Sequence, residues 1–428
     1  ENRGTIEARN HVLTGNSSFW GGGLARNPRV VLQDLFGPAL AAEVEAEYPH
    51  VEAELGVRNG FARESPIFGG RELHEVAVLP GRRRGLWAGF DEPGVTCLTR
   101  SQVVGVHFDH QNRIDRLEIQ SSDGARCRLV CRDVVLSMGV IDSNLFVQNW
   151  LASVVPPPLV AELGTRLHDH WSVPIAELTW KGGTDVNSLF PPKFRGGVVA
   201  GRRLGFDRGF FHVTADLDRM PPYDRIKELM RLRQQGTGPL ALMAAALRTL
   251  SSPVGMVRAA AHYAIHRELH IQDGSTVRLV IDFESSRVPA NRLVAGQSEA
   301  VLHWDLRDDD RACFSGVLRD QQGWWDDVCR RAGVPARWLV DPSLGSDRVH
   351  RYLDSNATDA YHLGGGLHPD YASVSGPSEP TGRLRGCPNL FIAGTAFFAR
   401  PGVANPVLTL LARANVFVRE LSRGNRQE

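Results

Sequence analysis

The stretch from Asp359 to Glu420 constrains this chain more than any other. It contains Tyr361-His362-Leu363-Gly364-Gly365-Gly366 and, further on, an apolar run from Asn389 to Ala393. That run predicts a buried strand feeding a turn at Gly394-Thr395. A long apolar-periodic segment opens at Asn405-Pro406, with Asn placed to cap a helix and Pro suited to its first position. A helix start presents free backbone N–H groups and partial positive charge. Such an end suits a ring system that becomes anionic on reduction. A histidine on a glycine-rich loop nearby suits a general base.

The rest of the chain narrows the setting. Its 428 residues allow two domains at roughly 150 residues each. With 42% hydrophobic and 23% charged residues it can bury a large core. A formal net charge of +1 gives no electrostatic case for nucleic acid or a membrane surface as partner. The six cysteines show no CxxC or metal-type spacing and read as buried free thiols, which suits a reducing cytoplasm. No run approaches the ~20 apolar residues of a membrane span. The chain begins with Glu1, not Met, which is compatible with a preceding segment.

Near the N-terminus, Thr14-Gly15-Asn16-Ser17-Ser18-Phe19-Trp20-Gly21-Gly22-Gly23 sets small residues around one Trp, so backbone can approach a planar ligand; taken alone it also reads as a surface loop. Pro38–Glu47 reads as a short helix, stopped by Pro49. Strands are predicted at Val95–Leu98, Val103–Phe108, Ile114–Ile119, Arg126–Val130 and Val134–Leu136, then a helix over Ile141–Leu151. Further strands are predicted at Ser172–Trp180, Gly209–Ala215, Val277–Phe283 and Ala300–Trp304. Residues 222–267 read as mostly helical, and Arg311–Arg331 as a helix.

These features together resemble the glucose–methanol–choline family of flavin oxidoreductases. The likeness is sharpest at residues 14–23 and 359–421, where a Gly-Gly-Ser-Ser…Trp-Gly-Gly type loop and a His…Asn-Pro signature are matched. Leu163–His170 is similar to the family's Gly-x-x-Leu-x-Asp-His passage between domains. The resemblance implies a mixed α/β (α+β) fold. Residues 1–164 and 359–428 would build an FAD-binding domain incomplete at its N-terminus. Residues 165–358 would build a substrate domain of antiparallel sheet and helices. It implies FAD contacts from Gly15, Asn16, Ser17, Ser18, Trp20, Gly21 and Gly22, from Val103 beside the adenine and from Gly139. Near the flavin it implies Gly394, Thr395, Asn405, Pro406 and Thr409. Ser137 and Met138 depart from the family's two Ala residues, and Gly364–His368 replace its Gly-Thr-x-x-Met.

Alcohol oxidation removes a hydride from carbon and a proton from oxygen. In the family's chemistry the hydride passes to flavin N5, with His362 as base and Asn405 orienting the substrate oxygen. His368 is a second candidate base, and Asn405 also reads as a helix cap. Adjacent His168, Asp169 and His170 read as structural, and no metal is expected. The Gly-x-Gly-x-x-Gly turn that such a cofactor needs is absent from the sequence. A partner chain, a preceding segment or a lost cofactor each accounts for that. The expected substrate is a sugar, glycoside, aminoglycoside or polyol alcohol. The rival reading is a non-catalytic scaffold of the same fold.

Overall fold

Two apolar cores organise the chain. The structure, a computed structural model, describes residues 22–57, 61, 67–79, 92–195, 198–216, 232, 238–241, 243–244, 253–296, 299–341, 343, 345–370 and 376–424. In the first core, helix α1 (Arg29–Phe36) buries Val31, Leu32, Leu35 and Phe36 on one face. Gly37, at φ 77°, turns the chain into α2 (Pro38–Glu54), with Pro38 in the first turn. The same core holds a parallel pair, β6 (Val134–Leu136) with β14 (Leu390–Ile392), and helix α3 (Gly139–Trp150). Helix α7 (Pro406–Gly424) sets Leu408, Ala412 and Val416 into the same core at fourfold spacing. A meander of β3 (Ser101–Phe108), β4 (Ile114–Ser121) and β5 (Arg126–Val130) lies alongside.

The second core is built on one large antiparallel sheet. Its order is β1 (Gly23–Leu24), β2 (His74–Val78), β9 (Val198–Phe206), β10 (Gly209–Ala215), β11 (Thr276–Glu284), β8 (His170–Thr179) and β12 (Ala336–Trp338). Strand alternation sends Val173, Leu204, Phe211, Ile281 and Phe283 to one side. Helix α5 (Asp308–Arg331) covers them with Phe314, Leu318 and Trp325, and α6 (Ser346–Asn356) adds Val349 and Leu353. The other side carries Arg203, Phe210, His212, Asp282, Ser172 and His170, matched by register across four strands. Helix α4 (Pro253–His266) lies in the predicted helical stretch.

Strand β13 (Gly364–Gly366) pairs with β7 (Thr165–His168) and joins the two halves. This triglycine strand leaves room for its neighbours. A Cβ on Gly364 would lie 2.3 Å from the His168 ring, and one on Gly366 would lie 2.2 Å from Asn144 Oδ1. Gly366 also holds φ 91°, which costs other residues strain.

The mixed α/β class stands as expected, and most elements fall where periodicity set them. Three expectations need correction. Helix α2 runs through Pro49 to Glu54, because Val51 is buried in the core and Arg26 grips Glu52 through two 2.6 Å bonds. Residues 95–98 form no strand and are exposed. All six cysteines are free, but Cys97 and Cys127 are exposed, while Cys329 and Cys387 are buried. Among the described residues no helix is long and apolar enough to cross a membrane.

Gly366→Ala is expected to destabilise the fold by about 2–4 kcal/mol, the sum of backbone strain and the clash with Asn144. Urea denaturation measures it, and an unchanged midpoint would contradict the packing described.

Candidate active site

His362 is held from beneath by Asp169. Tyr361, at φ 61°, turns the chain so that the His362 N–H reaches both carboxylate oxygens at 3.0 Å. Asp169 is fully buried at the β7–β8 junction and also accepts the His170 N–H at 2.6 Å. Its own N–H donates to Ser285 Oγ at 2.9 Å. The His170 ring stands edge-on to the His362 ring, centroids 5.5 Å apart. His170 Nε2 donates to the Gly402 carbonyl at 2.6 Å, and His168 Nε2 donates to that of Phe398 at 2.9 Å. The segment before α7 is thereby tied to the strand that carries Asp169.

Asn405 faces His362 across 3.0 Å, with Nδ2 donating to Nε2, while its Oδ1 is buried without a hydrogen-bond partner. That orientation leaves the imidazole neutral, with its lone pair at Nε2. An alcohol oxygen bridging the two can donate to Nε2 and accept from the amide. Burial lowers the His362 pKa to about 3, and the His170 and Arg203 charges push the same way. Burial likewise lowers His168 to about 3 and His368 to about 4. Asp169 moves the other way: burial raises its pKa well above the usual carboxylate range.

The surrounding residues shape an approach to this pair. Gly23 lies beside Asn405, where an added Cβ would sit 3.5 Å from the amide. Gly22, buried at φ 76°, precedes it and is the only resident of the small-residue loop's cofactor set within the described residues; Gly15, Asn16, Ser17, Ser18, Trp20 and Gly21 lie outside them. Thr395 Oγ1 donates to the Leu363 carbonyl at 3.0 Å, next to His362. Gly394 and Gly139 face open space, with no atom within 4 Å of an added Cβ. Pro406 is buried at the first position of α7. Thr409 is fully buried, and its hydroxyl is shared with Tyr48 at 2.8 Å and Asn27 at 3.1 Å. Val103 packs half-buried in β3, opposite Ile119. His368 lies in other surroundings: after burial, the Arg166 and Arg287 charges shift it most.

The donor set fits a planar group that gains negative charge. The start of α7 supplies positive potential, and the backbone at Gly394 is bare. A metal fits less well. Ligand atoms of Asp169, His170 and His362 lie within 4.8 Å of one another, yet the Asp169 oxygens accept backbone N–H groups and both Nε2 atoms are engaged. The anchoring of His362 by Asp169 escaped the sequence, which marked Leu163–His170 only as a passage between domains. Nothing in the spacing of 169 and 362 announces their contact.

No family model matches the chain, and no curated protein matches it. Solved structures do. Formate oxidase from Aspergillus oryzae RIB40, studied for its FAD modification, superposes with TM-score 0.60 at 12% identity, over 98% of this chain and 85% of that one. Pyridoxine 4-oxidase from Mesorbium loti gives TM-score 0.57 at 12% identity, covering 97% and 84%. A fungal aryl-alcohol oxidase gives 0.55 at 12% identity, covering 96% and 86%. The chain has the fold of these oxidases, the fold that the resemblance to glucose–methanol–choline oxidoreductases implied.

The buried histidines, His168, His170, His362 and His368, are all lowered and set an acid limit. The unfolded chain binds protons near pH 6.5, whereas the folded one resists them down to about 3 for His168 and His362. Stability is therefore complete above about pH 6.5 and falls as pH drops, by roughly 1.4 kcal/mol per unit for each histidine. Thermal melts from pH 7.5 to 4 should show a flat Tm, then a steep decline. A Tm independent of pH in that range would contradict the buried, neutral imidazoles.

Proposed function

We propose that this chain is an FAD-dependent oxidoreductase that oxidises an alcohol, with His362 as general base and Asn405 as its partner. Residues 1–164 and 359–428 form the cofactor half, and residues 165–358 the substrate half. The observation that carries the reading is the His362–Asn405 pair at 3.0 Å, braced on Asp169 beside the start of α7. The named activities of the neighbours, oxidases of pyridoxine, formate and aryl alcohols, support it.

When bound, FAD supplies the hydride acceptor. Asn405 Nδ2 holds the alcohol oxygen, and His362 Nε2 takes its proton. Burial leaves that nitrogen unprotonated at neutral pH. The His362 backbone is fixed by Asp169, so the ring needs no reorganisation before it acts. Gly22, Gly139, Gly394, Thr395 and Pro406 are assigned to the cofactor side, together with Gly15, Asn16, Ser17, Ser18, Trp20 and Gly21, which lie outside the described residues and are assigned there from the sequence. A Gly-x-Gly-x-x-Gly unit, on a preceding segment or a separate chain, completes the cofactor site. The exposed Val135 and Met138 beside the parallel pair support this.

His362→Ala is expected to slow anaerobic flavin reduction 10²–10⁴-fold while flavin content holds, since its proposed partner is the substrate. His368→Ala should stay within a few-fold of the parent. Stopped-flow loss of oxidised flavin measures both, and the reverse ranking would reassign the base. Asn405→Asp should also be slow, because a carboxylate there offsets the positive end of α7.

A further inference from the structure

The sheet face that leads to His362 carries a cation without an ion-pair partner among the described residues. Arg203 projects from β9 on the same side as Phe210, Asp282, Ser172 and His170. Its guanidinium lies 3.9 Å from the Phe210 ring centroid, and its Nη1 is buried without a hydrogen-bond partner. It forms no ion pair with the described residues. Nearby arginines are committed: Arg202 donates to the Ser188 carbonyl at 2.6 Å, Arg208 to that of Glu284 at 3.3 Å, and Arg400 to the Glu284 carboxylate at 2.6 and 2.9 Å. Asp282 lies 3.4 Å from His212 and also keeps one buried oxygen, Oδ1, without a partner. The Arg203 charge reaches both His170 and His362, and depresses their protonation.

We propose that Arg203 receives the carboxylate of the substrate, which makes the substrate an alcohol that carries one carboxylate at a distance from the reacting carbon. The inference rests on the oxidoreductase reading for its alcohol but not for its anion. A guanidinium fork matches a carboxylate with two parallel hydrogen bonds. One cation that feels Asp282 only through space, with no ion pair among the described residues, suits a monoanion, whereas a phosphate dianion needs more donors. By register Arg203 stands opposite His212, Val280 and Pro174, so His170 lies three strand spacings across, roughly 14 Å, and four residues along, roughly 13 Å; the Arg203 side chain covers part of both by reaching over Phe210 on β10. A rigid apolar spacer, such as a phenyl ring, bridges the remainder along Phe210. A neutral sugar leaves the cation unpaired, and an aminoglycoside brings like charge against it.

The test is calorimetric binding of 4-(hydroxymethyl)benzoate and of its neutral counterpart, benzene-1,4-dimethanol, to the holoprotein. The acid should bind at least about tenfold more tightly, as a charge-assisted pair implies. Arg203→Met should remove that preference and leave diol affinity within a few-fold, while Arg203→Lys keeps part of it. Asp282→Asn should raise affinity for the acid by removing a nearby negative charge. Equal binding by the parent, or a preference that survives Arg203→Met, overturns the proposal. If Arg203→Met fails to fold, Asp282→Asn decides: no gain for the acid means Arg203 serves only to balance Asp282. Binding that depends on Arg203 without flavin reduction would keep the anion site and remove the oxidoreductase reading. Reduction by the diol as efficient as by the acid would do the opposite.

Discussion

One buried carboxylate holds the site together. Asp169 accepts the backbone N–H of His362 and of His170, and so fixes a loop near the C-terminus to a strand junction near the middle of the chain. Without it two buried donors lose their partner, at about 1–3 kcal/mol each. The same junction carries His168 and His170, whose Nε2 atoms hold the Phe398 and Gly402 carbonyls. The turn that ends at Asn405 is therefore tied to the base it faces. His362, Asn405 and the start of α7 share one anchor.

Burial then decides the chemistry. Imidazoles enclosed with few charge partners stay neutral, which is what a proton acceptor requires at neutral pH. That environment costs acid stability and gains an unprotonated base. On the sheet side, a guanidinium and a carboxylate with unpaired atoms sit on a largely enclosed face, an arrangement that burial penalises unless a ligand joins it.

Local signals made much of the fold legible. Alternation marked the strands at 209–215 and 277–283, and Pro406 after Asn405 marked the start of α7. Gly364–Gly366, read as a glycine-rich loop beside His362, is a strand packed against His168 and Asn144. Tertiary packing overrode local signals elsewhere. Pro49 sits inside a helix because the buried residues beyond it hold the turn. Asn405, read both as the partner of His362 and as a cap, turns its amide to His362. The Asp169–His362 bond follows from a contact between distant segments, which no spacing encodes.

The coupling between His362 and Asn405 is the most direct test of the site. A double-mutant cycle on the anaerobic rate of flavin reduction, using His362→Ala, Asn405→Ala and the pair, measures it. A shared substrate oxygen requires the two losses to overlap, with a coupling of about 1–3 kcal/mol and a double variant little slower than His362→Ala alone. Losses that simply add would mean the two residues act apart, and would contradict the site described.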